Sequence, residues 1–297
     1  MDLIVTATSQ GLLWGTMALG IFITYRILNL PDMTAEGSFP LGAAITTQLI
    51  INGMNPFLAT FISFLVGMLA GSITGFLITK GNVPGLLAGI LTMTGLYSIN
   101  LRIMNRANLS LLGQTRVTDI FQSLNLPNQF DAIFLGLAIV IIMILLLALF
   151  FKTELGQAVI ATGDNEKMAR AMGIPTNRTK IMGLMLSNGI IAMAGGLIAQ
   201  DNGYADISMG IGTIVIGLAA VIIGEVVFGN LTFINRLICV ILGAIIYRLI
   251  ILLVILIGLN PNDLKLISAI LLAICLALPS IRTALKLNFF TGKESVE

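Results

Sequence analysis

Long apolar runs alternate with short polar breaks along nearly the whole chain. A membrane-crossing helix needs about 20 consecutive apolar residues, and most of these runs approach that length. The second run is too short to cross a bilayer as a straight helix. The pattern predicts an all-α protein, a polytopic transmembrane helical bundle of about nine segments with short or broken helices among them. The segments lie at residues 10–28, 38–51, 56–79, 84–104, 131–151, 181–200, 211–228, 236–258 and 264–280.

A polar stretch at residues 152–180 separates the fifth and sixth segments. Within it the sequence predicts a short helix over residues 165–172. Asp164 is placed to cap its first turn, because a short side-chain acceptor satisfies the free backbone N–H groups there. Gly173 follows as the residue that reverses the chain, and Pro175 ends the run.

Three apolar side chains of this short helix, Met168, Ala171 and Met172, follow a spacing of three and four residues and therefore share one face. A helix of this length is marginal by itself in water. Something must hold it, either its own membrane domain, on which it would lie as a lid, or a groove on a soluble partner that accepts the methionines.

The composition agrees with a membrane protein, since 57% of the 297 residues are hydrophobic and only 10% are charged, against about 25% charged in soluble domains. The length suits one transmembrane domain over residues 1–297. The chain has no histidine and no G-x-x-x-x-G-K-[ST] phosphate loop. We therefore expect a transport subunit rather than an enzyme, with no metal, no cofactor and no nucleic-acid partner.

The placement of lysine and arginine predicts the orientation. If the 152–180 loop is cytoplasmic, alternation of the segments puts most of the 16 basic residues on the same side. Basic residues concentrate on the cytoplasmic side of membrane proteins. The expected topology has the N-terminus outside and the C-terminus in the cytoplasm.

The loop also carries a family pattern, formed by Gly156, Ala161, Gly163, Asn165, Glu166, Ala169, Arg170, Gly173 and Ile174. In this pattern the chain resembles the cytoplasmic loop of ABC-importer permeases of the branched-chain amino acid and ribose type. Residues 30–42 (LPDMTAEGSFPLG) resemble the loop after the first span of these permeases. Residues 89–100 (GILTMTGLYSIN) resemble a branch served by binding proteins for amino acids, aromatic ones among them.

The resemblance implies a bacterial cell-membrane permease that passes a small solute from an extracellular substrate-binding protein to the cytoplasm. ATP hydrolysis would be supplied by a separate ATPase subunit. One coupling loop per chain and a two-fold ATPase dimer imply two permease copies, most simply a homodimer. The coupling residues implied are Gly156, Gly163, Asp164, Asn165, Glu166, Met168, Ala169, Arg170, Met172 and Gly173.

A second set of residues is predicted along the translocation path. Lipid cannot satisfy the backbone of broken helices, so the short second segment and the polar fourth segment belong against protein or water. The alternative for the polar side chains is hydrogen bonding between helices, and for the aromatic ones packing. The candidates are Glu36, Phe39, Thr92, Thr94, Tyr97, Ser98, Asn100 and Arg248.

Arg248 is the most unusual of these residues because it lies near the middle of an apolar segment. A charge at the bilayer centre costs on the order of 3 kcal/mol, so the side chain must face protein or water. It could bind a ligand carboxylate, pair with Glu225 or Glu36, or lie at the seam between two copies.

Two features of organisation complete the predictions. The stretches that lead into the second and seventh segments are both rich in glycine, which indicates inverted-repeat halves. The outer loop, residues 105–130, either receives the binding protein or only plugs the bundle.

Two other functions compete with the importer. An ion-coupled secondary transporter of a small solute would need buried acidic side chains, and the candidates are few. A membrane-embedded enzyme lacks a convergent nucleophile and base.

Overall fold

The structure is a computed structural model, which describes residues 2–117, 119, 130–228, 232–257, 266–267, 269–270 and 273. Most of the predicted ninth segment, residues 264–280, and most of the distal half of the outer loop lie outside the described residues. The described helices are α1 (Asp2–Phe22), α2 (Ala35–Ile51), α3 (Pro56–Thr79), α4 (Gly85–Met104), α5 (Phe130–Lys152), α6 (Glu154–Asp164), α7 (Glu166–Ala171), α8 (Thr176–Asn202), α9 (Thr213–Phe228) and α10 (Phe233–Leu256).

The prediction of a polytopic helical bundle is confirmed. Seven helical segments of the described chain are long and apolar enough to cross a membrane, and they correspond to seven of the nine predicted segments. The second predicted segment forms α2, which has 17 residues and does not reach the length of an ordinary span, as expected. Several helices start earlier than predicted: α1 begins at Asp2 and α8 at Thr176.

Helix α8 lies at the centre of the bundle. Helices α1, α2 and α3 pack along it, α4 packs outside α2 and α3, and α10 packs outside α1. The most apolar part of α8 is 72% buried, whereas that of α4 is 28% buried. Glycines allow these close crossings: a Cβ atom added at Gly71 would collide with the backbone carbonyl of Leu184, and one at Gly42 with that of Ala192.

The starts of α2 and α9 meet inside the bundle. The Glu36 carboxylate, in the first turn of α2, accepts a hydrogen bond of 3.0 Å from the backbone N–H of Gly212, directly before α9. Gly210 packs on the Glu36 carbonyl and the Pro40 ring. The start of each helix therefore faces the other, and an anion at a helix start is favourable. Two inverted-repeat halves would bring the starts of α2 and α9 together in this way. The inverted repeat itself stays a prediction.

A two-stranded antiparallel sheet marks one end of the bundle. Strand β1 (Asn108–Ser110) pairs with β2 (Tyr204–Asp206), and a 3-10 turn over Ile207–Gly210 leads back into the bundle. We call this end the sheet end. The opposite end carries α6 and α7, where Gly163 packs against the backbone carbonyl of Ile27. We call it the loop end.

Candidate functional site

The 152–180 loop contains two helices, not the single one predicted. Thr153 caps α6, because its hydroxyl accepts a hydrogen bond of 3.2 Å from the N–H of Gly156. Asn165 caps α7 in the same way and accepts from the N–H of Met168 at 3.0 Å. The prediction that Asp164 caps α7 is therefore wrong: Asp164 is the last residue of α6, and the chain turns at Asn165.

The end of α7 agrees with the prediction. Gly173 has a φ of +85°, in the left-handed region that favours glycine. Its N–H donates to the carbonyl of Arg170 at 3.1 Å, and the next N–H, that of Ile174, donates to Ala169 at 3.0 Å. These bonds satisfy carbonyls at the end of α7, after which Pro175 precedes the first residue of α8.

Ion pairs and hydrogen bonds fix α7 to the start of α8. The Glu166 carboxylate accepts from Lys180 Nζ at 2.7 Å and from Arg170 Nη2 at 3.0 Å. The same Arg170 guanidinium also reaches Thr176 Oγ1 at 3.2 Å. The hydrogen bond from Lys180 is the main cause that lowers the pKa of Glu166 from its ordinary value, against an opposing effect of partial burial. Glu166 therefore stays ionised and connects the two helices near neutral pH.

With Ala169 buried, the methionines of α7 point outward. Met168 is 54% exposed and Met172 is 74% exposed, and Ala171 beside them is also exposed. A short helix held from behind by charged contacts thus presents an apolar face to the surroundings of the loop end. Such a face is suited to a groove on another protein.

Two of the three glycines of the family pattern, Gly156 and Gly163, lie at close contacts. A Cβ atom at Gly163 would collide with the Ile27 carbonyl at the end of the first span, and one at Gly156 would collide with the Phe150 carbonyl. Helix α6 therefore rests directly on backbone atoms of the membrane domain.

The predicted path residues of α4 separate onto two faces. Thr92 and Asn100 point into the protein: Thr92 Oγ1 accepts from Thr74 Oγ1 at 2.9 Å, and Asn100 Nδ2 donates to the Gly37 carbonyl at 3.3 Å. These two make the bonds between helices that the alternative interpretation expected.

Thr94, Tyr97 and Ser98 point away from the rest of the chain and are exposed. The Thr94 hydroxyl bonds only to carbonyls of its own helix. Arg102, one turn after Ser98, continues this exposed polar stripe toward the sheet end.

A buried polar network joins α2 to α8 and was missed by the sequence analysis. Asn188 Nδ2 donates to Asp32 Oδ2 at 2.8 Å, and Ser38 Oγ donates to Asn188 Oδ1 at 2.7 Å. The Asp32 carboxylate also accepts from the backbone N–H of Thr34 at 2.8 Å. An asparagine in the middle of an apolar span was the available indication, since such side chains need a partner.

The structure places the other path candidates inside the protein. Phe39 is fully buried, with its ring centroid 5.4 Å from that of Trp14. Arg248 lies beside the same tryptophan, 4.4 Å from its ring centroid. The alternative in which Arg248 pairs with Glu225 or Glu36 is wrong. Glu225 pairs with Arg26 at 2.8 Å, and Glu36 bonds to Gly212 as described above.

These features define a class before any comparison is made. The chain is a multi-span membrane protein with a short, braced helix projecting from one end and an exposed polar stripe on a spanning helix. Within the described residues, no group of three or more His, Cys, Asp or Glu side chains could hold a metal ion. This is the organisation of a polytopic helical membrane protein.

Comparison with known proteins identifies the family. Residues 3–277 match the family described as "Branched-chain amino acid transport system / permease component", and the chain belongs to it. A tyrosine transport system permease protein of Clostridioides difficile (strain R20291) is 43% identical over 96% of this chain and 94% of its own. The ribose import permease protein RbsC of Bacillus subtilis (strain 168) is 30% identical over 55% of this chain and 50% of its own.

Among solved structures, PsaBC from Streptococcus pneumoniae in complex with Fab is similar in fold, with a TM-score of 0.50 and 20% identity over 97% of this chain and 94% of that one. The chain is thus a permease subunit of an ABC importer, and this function was expected from the sequence. The family implies the plasma membrane, an ATPase partner and a substrate-binding protein.

Proposed function

We propose that this permease imports an amino acid, of the aromatic class, and that α7 is the element through which an ATPase dimer drives it. The observation that carries the coupling role is the exposed methionine pair of a helix braced by the Glu166–Lys180 ion pair. The substrate class rests on the 43% identity to a tyrosine transport permease over nearly the whole chain. The chain itself would carry no catalytic activity.

In this proposal the loop end faces the cytoplasm. Helix α7 would seat its methionines in a groove of the ATPase. Helix α6 would transmit the motion to the end of the first span, at Ile27, through the tight contact at Gly163. The N-terminus then lies outside, the C-terminus inside, and the β1–β2 sheet lies where an extracellular binding protein can reach it.

Hydrogen bonds offer a continuous connection from α7 to the path. Lys180 links α7 to α8, Asn188 links α8 to the start of α2, and Asn100 links the start of α2 to α4. A displacement of α7 by the ATPase would move α8 as a rigid rod and carry α2 and α4 with it. Contiguous packed elements with discrete bonds are the physical means of such coupling.

The solute path is assigned to the outward face of α4. Thr94, Tyr97 and Ser98 are exposed on this helix, whose hydropathy of 1.3 is well below that of α5, at 3.3. Hydroxyl groups facing lipid would gain nothing, whereas they can hydrogen-bond to a passing solute or to a second copy. We therefore infer a homodimer in which two α4 helices border the path.

The coupling role is tested by charge substitution on α7. Met168→Asp and Met172→Asp should each abolish co-purification of the ATPase with the full-length permease, because a charge is placed in an apolar interface. Leu155→Asp is the matched control, since Leu155 is an apolar side chain of α6 with 55% exposure. Retention of the ATPase by both α7 variants would refute the assignment, and equal loss in the control would show that the interface is not confined to α7.

The substrate class is tested by uptake into vesicles that contain the permease with its ATPase and binding protein. Phenylalanine should inhibit the uptake of labelled tyrosine, and ribose should not. Inhibition by ribose without inhibition by phenylalanine would refute the amino-acid assignment. Uptake driven by an ion gradient in vesicles that lack the ATPase would contradict the importer mechanism and support the secondary-transporter alternative.

A further inference from the structure

A polar cavity lies between α1, α8 and α10, away from α4. Its volume is about 230 Å³, and its walls include Gln10, Trp14, Asp201, Asn202 and Arg248. Asp201 and Asn202 end α8 just before the β1–β2 sheet, so the cavity lies toward the sheet end. Helices α2 and α3 lie between α8 and α4, so the cavity is distinct from the path assigned above.

The guanidinium of Arg248 is incompletely satisfied. One face lies over the ring of Trp14, at 4.4 Å from the centroid. Its Nη1 donates to Gln10 Oε1 at 3.5 Å, the outer limit of a hydrogen bond. Its Nε is buried and has no hydrogen-bond partner among the described residues. A buried cation in this condition is costly without an anion.

Asp201, a negative charge, lines the same cavity but is not paired with Arg248. No nitrogen of Arg248 lies within 4.0 Å of the Asp201 carboxylate, and the three ion pairs of the described residues involve other side chains. The Asp201 carboxylate accepts no hydrogen bond from any described residue. The Asp201 carboxylate is attracted by the guanidinium groups of both Arg248 and Arg116 but forms no salt bridge with either among the described residues. Two opposite charges, Asp201 and Arg248, thus border one space without a direct ion pair.

We propose that this cavity binds a small zwitterion, with its ammonium group at Asp201, its anionic group at Arg248 and its carbon skeleton against Trp14. A cavity of 230 Å³ exceeds the roughly 30 Å³ that one water occupies in the liquid several times over, and accommodates a free amino acid or an ethanolamine phosphate headgroup. Both molecules share the chemistry of an anion and an ammonium a few bonds apart.

The inference does not depend on the transported substrate. A free amino acid here would occupy a site outside the α4 path, and a lipid headgroup would occupy it from the bilayer. In either case the ligand would connect α1, α8 and α10 at the sheet end. Helix α7 contacts the opposite end of α8.

Trp14 is the only tryptophan of the chain, so its fluorescence reports directly on the cavity. The experiment uses the full-length permease in phosphatidylglycerol vesicles, titrated with alanine, propionate or propylamine. In a second arm phosphatidylethanolamine replaces part of the lipid. We expect a saturable change of Trp14 emission with alanine, or with phosphatidylethanolamine, and no comparable change with propionate or propylamine alone.

Variants of the two charges provide the specificity test. Arg248→Met and the isosteric Asp201→Asn should each lower the apparent affinity in the Trp14 titration by roughly thirtyfold or more, because one partner of a desolvated charge contact is lost. Arg178→Met is the matched control, since Arg178 is an exposed cation at the loop end of α8, and it should leave the response unchanged.

Three results would overturn the proposal: no emission change in either arm, an equal response to propionate, or a full response in Asp201→Asn. A response to alanine identifies a free zwitterion as the ligand, and a response confined to phosphatidylethanolamine identifies a headgroup. Co-purification of the ATPase and vesicle uptake measure the proposed function separately, so failure of one proposal does not imply failure of the other.

Discussion

Replacing Asn188 by leucine should break the connection between α8 and the start of α2. The substitution keeps the approximate size of the side chain and removes two contacts between helices, the bond to Asp32 at 2.8 Å and the bond from Ser38 at 2.7 Å. It also removes a bond to the Leu184 carbonyl within α8 itself, at 3.1 Å. The carboxylate and the hydroxyl left behind find no replacement in this packed region.

The expected cost follows from these contacts. A hydrogen bond to a charged group contributes about 1.5–3 kcal/mol and a neutral one about 1 kcal/mol, while bonds between membrane helices average about 0.6 kcal/mol and reach about 1.7 kcal/mol. We therefore expect Asn188→Leu to lower the free energy of unfolding by about 3 kcal/mol. Thr94→Val is the control: it removes only bonds of Thr94 to its own helix, and its effect should stay within about 0.5 kcal/mol.

The assay is denaturation of the permease in mixed micelles, followed by Trp14 fluorescence, for Asn188→Leu, Asp32→Ala and the double variant. Because the two side chains are in direct contact, their effects should fail to add by about 1 kcal/mol or more. In vesicles, Asn188→Leu should retain the ATPase and lose uptake, since α7 is untouched. Additive effects, a single-variant cost below about 0.5 kcal/mol, or normal uptake would refute the reasoning.

Three further predictions concern other parts of the molecule. The pKa of Glu166 is lowered in the folded protein from its ordinary value of 4.5. Its contribution to holding α7 is therefore present above pH 4.5 and is lost as the pH falls through the lower, folded pKa. The fluorescence anisotropy of a probe on α7 should decrease in that acidic range, and Glu166→Gln should remove the pH dependence. Gly163→Ala should destabilise the loop end by about 1–3 kcal/mol through overpacking and reduce ATPase co-purification. Gly95→Ala, whose added Cβ meets nothing within 4 Å, should not lower the thermal midpoint, because alanine is a better helix former than glycine. Ser98→Cys should react with a membrane-impermeant maleimide in the assembled importer and Thr92→Cys should not; equal labelling would contradict a path along the outward face of α4.

Local sequence rules predicted α7 well because its determinants are local. Gly173 at the end of the helix and Pro175 after it act through the backbone of their own turn, and both were recognised. The cap was misplaced by one residue because α6 was not predicted. The buried positions of α6 are Gly156, Val159 and Thr162. They form one narrow face with a single large apolar side chain, which gives no clear helical pattern in a polar stretch.

The setting of α4 was only half predictable. Spacing alone separates Thr92 and Asn100, which lie eight residues apart, from Thr94 and Ser98, which lie four apart. Which pair faces the protein depends on partners in α2 and α3, distant in the chain, and no local rule supplies it. The same reason applies to Arg248, whose neighbour Trp14 lies near the opposite end of the chain.

The distribution of polar contacts divides the bundle in two. Helices α2, α3, α4 and α8 are joined by side-chain hydrogen bonds, and the mean hydropathy is 1.3 for α4 and 1.8 for α8. Helices α5 and α10 have higher mean hydropathies, 3.3 and 3.0, and pack mainly through apolar contacts. Apolar surfaces have no preferred register and tolerate small displacements, whereas a hydrogen bond in an apolar interior is either made or broken. A motion that begins at α7 would therefore be carried by the hydrogen-bonded half as a unit and be accommodated by sliding at the apolar half. Asn188 lies at the one junction where α8 is bonded to both Asp32 and Ser38, which is why its replacement, more than that of any residue of α5, should separate ATPase binding from transport.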